Sequence, residues 1–194
     1  MQIANFFTTS RIVLAPMFFI IYFLPTYVVD ISPKITLVIL IPLFAYMQFT
    51  DFLDGYTARK YNIVSDFGKL FDPFADVLAN MAVLFCFTID KLLPSIFFLI
   101  ILYREVSIVF VRMLAIKKGL VIGAKMLGKI KTVLYISVGA VSLFIKLCDA
   151  YGIFLNTISM FKVFNIMLYG LAVIFSLLSF YFYLNAYRKY SKER

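Results

Sequence analysis

The sequence predicts an all-α polytopic membrane protein of six transmembrane helices with both termini in the cytoplasm, and three observations lead there. Hydrophobic residues fill 63% of the 194 positions and charged residues only 15%, giving a mean hydropathy of +0.97, far above that of a soluble domain. Apolar runs of about 20 residues, the length that crosses a hydrocarbon core, recur between boundaries of Pro, Gly or charge. The basic residues are distributed unevenly among the connections between those runs. The runs use nearly the whole chain, so 1–194 is expected to form a single membrane domain.

The first run, 10–29, is longer than the apolar stretch of a signal peptide and shows no small-residue cleavage site, so it reads as a retained helix. The second, 35–59, ends in acidic and basic residues, and the third, 69–89, begins with them. The fourth, 94–116, carries charges within its apolar length. The fifth, 127–148, follows a lysine-rich connection, and the sixth, 162–187, runs into RKYSKER, a basic interfacial anchor. With the N-terminus inside, Arg11, Arg59, Lys60, Lys69, Lys117, Lys118, Lys125, Lys129, Lys131 and the C-terminal basic residues lie on or near the cytoplasmic side. Only Lys34, Lys91, Lys146 and Lys162 face out. The opposite topology would invert this asymmetry, against the positive-inside rule.

The same distribution accounts for the net charge of +9: helix-end cations serve topology and anionic lipid, and no soluble basic surface remains to track nucleic acid. Cys86 and Cys148 sit in apolar segments at a spacing that suggests neither a metal site nor a disulfide framework.

Five of the ten acidic residues, Asp51, Asp54, Asp66, Asp72 and Asp76, cluster around the junction of the second and third runs. An aspartate at mid-membrane costs about 3 kcal/mol on insertion scales, so such a group needs a compensating partner. At 100° per residue, Asp51 and Asp54 lie about 60° apart on one helix, and Asp72 and Asp76 about 40° apart on the next. Each pair shares a face, and a short turn can oppose the two faces in one cavity near the membrane surface. Four carboxylates so placed take up protons or attract cations. All-oxygen ligands in a chain without His select hard ions, Mg²⁺ or Mn²⁺, and two such ions balance four carboxylates. A metal pair of this kind stabilises the attacking and leaving oxygens of a phosphoryl displacement.

The lack of His also leaves an aspartate as the expected proton acceptor. Asp66, in the turn, reads as a helix N-cap or loop charge. Gly55 and Ala58 keep bulk off the helix face beside the first pair, Gly68 does the same one turn before Asp72, and Arg59 is placed to meet a phosphate. A cation transporter or channel is the alternative of a different class, its intramembrane carboxylates then forming an ion path.

From Asp51 to Asp76 the sequence reads DFLDGYTARKYNIVSDFGKLFDPFAD, which meets D-x2-D-G-x2-A-R-x8-G-x3-D-x3-D at every fixed position. Eight positions at about 5 to 10% usage each give a chance match on the order of one in a billion. This is similar to the signature of the CDP-alcohol phosphatidyltransferases. The resemblance implies a six-helix membrane fold, usually dimeric, with its active site opening to the cytoplasm. It implies attack of an alcohol hydroxyl on the β-phosphorus of a CDP-linked lipid, with CMP leaving. By motif position, Asp51, Asp54, Asp72 and Asp76 would ligate two divalent cations, with Asp76 also the base. Asp51, Gly55, Ala58, Arg59 and Gly68 would line the CDP pocket.

Elsewhere the chain resembles the branch of that family that uses CDP-diacylglycerol and glycerol 3-phosphate. Asn5, Thr8 and Arg11 match an N-x2-T-x2-R entry to the first helix, Arg104, Glu105 and Arg112 an R-E-x6-R segment, and Gly128 to Thr132 a G-K-x-K-T segment. A phosphorylated acceptor needs cations inside a carboxylate-rich cavity, and Arg104, Arg112, Lys129 and Lys131 are the candidates. Glu105 is expected to share a helix face with Arg112 and to orient it, the alternative being a structural ion pair. Pro73 differs from the Ser common in the serine-using branch, whereas Val77 departs from the Lys usual in the glycerol phosphate branch. Inositol phosphate, phosphatidylglycerol and serine are the alternative acceptors. The location expected is a bacterial inner (cytoplasmic) membrane, among membrane lipids.

Overall fold

The structure, a computed structural model, describes the backbone of residues 2–28, 31–61, 66–117 and 126–192, and the side chains of residues 8–28, 31–50, 71, 73–115 and 126–188. Six α-helices follow one another: α1 Gln2–Tyr27, α2 Pro33–Tyr61, α3 Asp66–Ile89, α4 Ser95–Lys117, α5 Met126–Tyr151 and α6 Ile158–Lys192. No strand occurs among the described residues. Several helices outrun the apolar runs that announced them. Thus α1 begins well before residue 10, and α6 carries helix into the basic tail, because hydropathy marks where lipid begins and not where backbone hydrogen bonding stops.

The surface is that of a multi-pass membrane protein. Large apolar side chains face outward along the helices, with Ile20 60%, Val38 62% and Met167 61% exposed, and only a hydrocarbon solvent makes such a surface favourable. The helical stretches Thr8–Tyr27, Pro33–Thr50, Met126–Tyr151 and Ile158–Arg188 are long and apolar enough to cross a bilayer. Among the described side chains of α3 the apolar stretch is Pro73–Ile89. Arg104, Glu105 and Arg112 interrupt α4.

Helix α1 packs on α2 and α3, α5 packs on α6, and α4 bridges α3 and α6. Phe18, Leu40, Met47, Leu84, Phe87, Val138 and Tyr169 are all but sealed at the centre. Gly139 lets α5 approach closely: a Cβ there would stand 3.0 Å from the Phe44 ring of α2 and 3.4 Å from Val83 of α3.

At the end of the bundle where α3 turns into α4, Tyr22 donates a hydrogen bond to Asp90 Oδ2 and Lys146 Nζ donates to the same oxygen, each at 2.6 Å. The contact ties α1, α3 and α5. Lys34 lies over the Tyr151 ring and Lys162 faces Asp149 at 3.9 Å, so these lysines gather at one end.

The terminations of α3 and α5 at that end share one geometry. Leu92 N donates to Phe87 O and Lys91 N to Thr88 O, while Ile153 N donates to Cys148 O and Gly152 N to Asp149 O. This is the Schellman pattern, which needs a left-handed residue after the cap. Gly152 supplies it at φ 67°, but in α3 the position is filled by Lys91 at φ 59°. A Cβ in that conformation costs about 1 kcal/mol or more. Lys91→Gly is therefore expected to stabilise the protein by about 1 kcal/mol, read as a higher midpoint of thermal unfolding in detergent.

Candidate active site

Asp76 lies on α3, one helical turn past Pro73, with its side chain 34% exposed. Asn80 Nδ2 donates to the Asp76 carbonyl at 2.9 Å, fixing the turn below it. The Asp76 carboxylate is met from α1 by the guanidinium of Arg11, whose side chain is 2% exposed. Thr8, one turn earlier on α1, is fully buried. The N-terminal match thus has a structural meaning: α1 carries a buried cation to the motif's final carboxylate.

Asp76 opens on a cavity of about 630 Å³ whose other polar walls come from α4 (Arg104, Glu105, Arg112), α5 (Lys129, Lys131) and α6 (Ser179, Tyr183). All four basic residues expected to meet an acceptor phosphate therefore share one cavity with the expected base. Arg112 and Lys129 carry no hydrogen bond or ion pair among the described residues. Arg104 and Lys131 are committed. Arg104 Nε donates to the Ser176 carbonyl at 3.0 Å, Nη2 to Ser179 Oγ at 3.1 Å and Nη1 to Glu105 Oε1 at 2.8 Å. Lys131 Nζ reaches the same Glu105 oxygen at 2.5 Å, and the Tyr135 hydroxyl lies 3.0 Å from it and 2.9 Å from Ser176 Oγ. With one proton to give, Tyr135 donates to the carboxylate and accepts from the serine.

The local sequence explains the network. Lys131 and Tyr135 are four apart on α5, and Ser176, Ser179 and Tyr183 repeat at three and four on α6, so each set shares a face. Serines on α6 leave room for the Arg104 fork, which a larger residue would fill. Charges this deep persist in lipid only when paired with one another or with backbone carbonyls, and here both occur.

One expectation is corrected. Glu105 does not hold Arg112, because seven residues of helix separate them by about 10 Å along the axis. Its partners are its neighbour Arg104 and, across the helix interface, Lys131 and Tyr135. The α6 residues Ser176, Ser179 and Tyr183, and Tyr135 on α5, had no part in the sequence expectation, since hydroxyl side chains in apolar helices carry no distinguishing pattern.

The backbone is helical through Asp51, Asp54, Gly55, Ala58 and Arg59 on α2 and through Asp66, Gly68 and Asp72 on α3. The i, i+3 and i, i+4 spacings thus fall on helices as expected, while these side chains lie outside the described residues. Among the described residues no three metal-ligating side chains come together; three of the four motif aspartates are not among those residues. The donor set expected from the sequence, four carboxylates in a chain without His, is of the chemistry that would suit a hard divalent cation.

Apolar helices around a charged internal cavity, with a carboxylate on one wall and cations on the other, define a polytopic membrane protein equipped to handle an anionic substrate. The chain belongs to the CDP-alcohol phosphatidyltransferase family, whose model matches residues 1–178, and is an enzyme of that class. It is 37% identical over 193 residues to the CDP-diacylglycerol--glycerol-3-phosphate 3-phosphatidyltransferase of Treponema pallidum (strain Nichols), covering 96% of this chain and 89% of that one. It is 38% identical over 136 residues to the protein of the same name from Bacillus subtilis (strain 168), covering 68% of this chain and 70% of that one.

Proposed function

We propose that this protein transfers the phosphatidyl group of CDP-diacylglycerol to glycerol 3-phosphate, giving phosphatidylglycerophosphate and CMP. The observation that carries this reading is the single cavity that joins Asp76 to Arg104, Arg112, Lys129 and Lys131; the names of the relatives agree with it. In it, the acceptor's phosphate rests against Arg112, Lys129 and Lys131, with the more deeply buried Arg104 supporting them. Its hydroxyl then points to Asp76, which takes the proton as the oxygen bonds to the β-phosphorus. The bond from that phosphorus to the bridging oxygen breaks, and CMP departs. Arg11 holds the Asp76 carboxylate in the orientation this requires. Asp51, Gly55, Ala58, Arg59 and Gly68 line the CDP pocket. Two divalent cations, Mg²⁺ or Mn²⁺, held by Asp51, Asp54, Asp72 and Asp76, would neutralise the pyrophosphate and stabilise the departing CMP.

The same reading takes all six helices as spans, both termini as cytoplasmic, the cavity as opening to the cytoplasm of a bacterial inner membrane, and the working form as a homodimer. Its support is the gathering of Lys34, Lys146 and Lys162 at the end away from the cavity, which leaves the denser basic set on the cavity side, as the positive-inside rule requires.

The test is CMP release by the purified protein with CDP-diacylglycerol, Mg²⁺ or Mn²⁺ and, in separate reactions, glycerol 3-phosphate, inositol 1-phosphate, serine or phosphatidylglycerol. Release with glycerol 3-phosphate is expected to be the fastest of the four, and to exceed that with serine, which carries no phosphate, by about a hundredfold or more, since a site built for a charged group discriminates strongly against an acceptor that lacks it. Faster release with another acceptor would reassign the substrate.

A further inference from the structure

Glu105 is an acidic residue on the cationic wall of a cavity that, on the reading above, receives an anion, and its presence there needs a reason. Its side chain is 2% exposed. Three donors from two helices, Arg104 Nη1, Lys131 Nζ and Tyr135 Oη, converge on its Oε1 within 3.0 Å. Tyr135 is in turn fixed by Ser176 on α6, and Arg104 by Ser176 and Ser179. One oxygen thus gathers the hydrogen-bonding groups of three helices.

Without that carboxylate, two buried cations would face each other with no counter-charge and would separate. With it, Arg104 stays turned toward α6, and the Lys131 ammonium, 13% exposed, is fixed at the cavity wall. A flexible lysine is a poor anion receptor until it is held, because each rotatable bond frozen on binding weakens the interaction. Arg112 and Lys129 have no comparable holder among the described residues.

We propose that Glu105 is a positioning residue for the acceptor: it pre-organises Lys131 to receive the acceptor's anionic group, with Tyr135 and Ser176 holding Glu105 in place. The proposal rests on the acceptor reading given above. It assigns Arg104 to the scaffold, and it makes the contribution of Glu105 pass through Lys131.

The test is a steady-state double-mutant cycle on purified protein with Glu105→Gln, Lys131→Met and the double variant, varying each substrate in turn. Glu105→Gln is expected to raise the KM for glycerol 3-phosphate by about tenfold or more, the size of a lost charged hydrogen bond, with the KM for CDP-diacylglycerol unchanged. The double variant is expected to match Lys131→Met alone, because a residue that acts through another adds nothing once that other is gone. If Glu105→Gln shifts both KM values alike, or if the two effects multiply in the double variant, the proposal is overturned. Should Glu105→Gln fail to fold, Tyr135→Phe removes only one donor to the same oxygen. It is then expected to raise the acceptor KM alone, by about threefold, and an unchanged acceptor KM would count against the proposal.

Wild-type turnover separates this from the underlying reading. Wild-type release of CMP with glycerol 3-phosphate alongside a failed cycle sinks Glu105 and leaves the reaction standing. Turnover with a different phosphorylated acceptor overturns the substrate and moves the cycle, with the same expected pattern, to that acceptor. Turnover with unphosphorylated acceptors alone, or with none, overturns both.

Discussion

Asp76→Asn is expected to lower kcat by about a thousandfold or more while the protein still folds and binds the CDP-lipid. A positioned general base contributes about 10² to 10⁴ in rate, and Asp76 is also the fourth carboxylate of the motif. The substitution is close to isosteric. Asn keeps a carbonyl oxygen to accept from Arg11, and the backbone bond from Asn80 does not involve the side chain. Loss of turnover would thus report lost proton acceptance and lost charge, not a collapsed site. Binding of the CDP-lipid, followed by displacement of a labelled nucleotide, separates the two. A variant within tenfold of wild type in kcat would remove Asp76 from the chemistry.

The second large effect is on stability. Arg104→Leu is expected to destabilise the protein by about 3–5 kcal/mol, the cost of breaking a buried ion pair from one side. The Ser176 carbonyl, Ser179 Oγ and Glu105 each lose a donor, and the link from α4 to α6 is cut in the membrane interior. Arg104→Lys should recover only part of the loss, since an ammonium cannot reproduce three bonds arranged around a planar fork. Unfolding by denaturant in mixed micelles measures both. A Leu variant as stable as wild type would show that lipid or water satisfies these groups equally well.

The parts of the molecule that could be read from the sequence are those where a residue type is costly for its surroundings. Helices in lipid announce themselves because a run of apolar residues has no other use at that length. The aspartates around the second connection and the charges at Arg104, Glu105, Arg112, Lys129 and Lys131 stood out because each interrupts such a run. The structure places Asp76 and all five of those charges on one cavity.

Pairing was harder to read. Spacing on α4 suggested Arg112 as the partner of Glu105, yet the partners come from α5 and from the adjacent Arg104. Which helix faces which is set by rotation and packing, and neither is written in one helix's own periodicity. The hydroxyls of Tyr135, Ser176 and Ser179 escaped notice for a related reason: Ser and Tyr are ordinary in membrane helices, and only the Arg104–Glu105 pair around which they gather gives them a role. The contact among Tyr22, Asp90 and Lys146 is of the same kind, joining residues from three helices whose sequence positions are unrelated.

The most direct measurement of the central claim is transfer of label from radioactive glycerol 3-phosphate into organic-extractable lipid by the purified protein supplied with CDP-diacylglycerol and a divalent cation. The account predicts phosphatidylglycerophosphate as the labelled product, with one CMP released for each molecule formed and no transfer when the cation is chelated. Labelled lipid formed without CMP, or no labelled lipid from a folded protein, would contradict it.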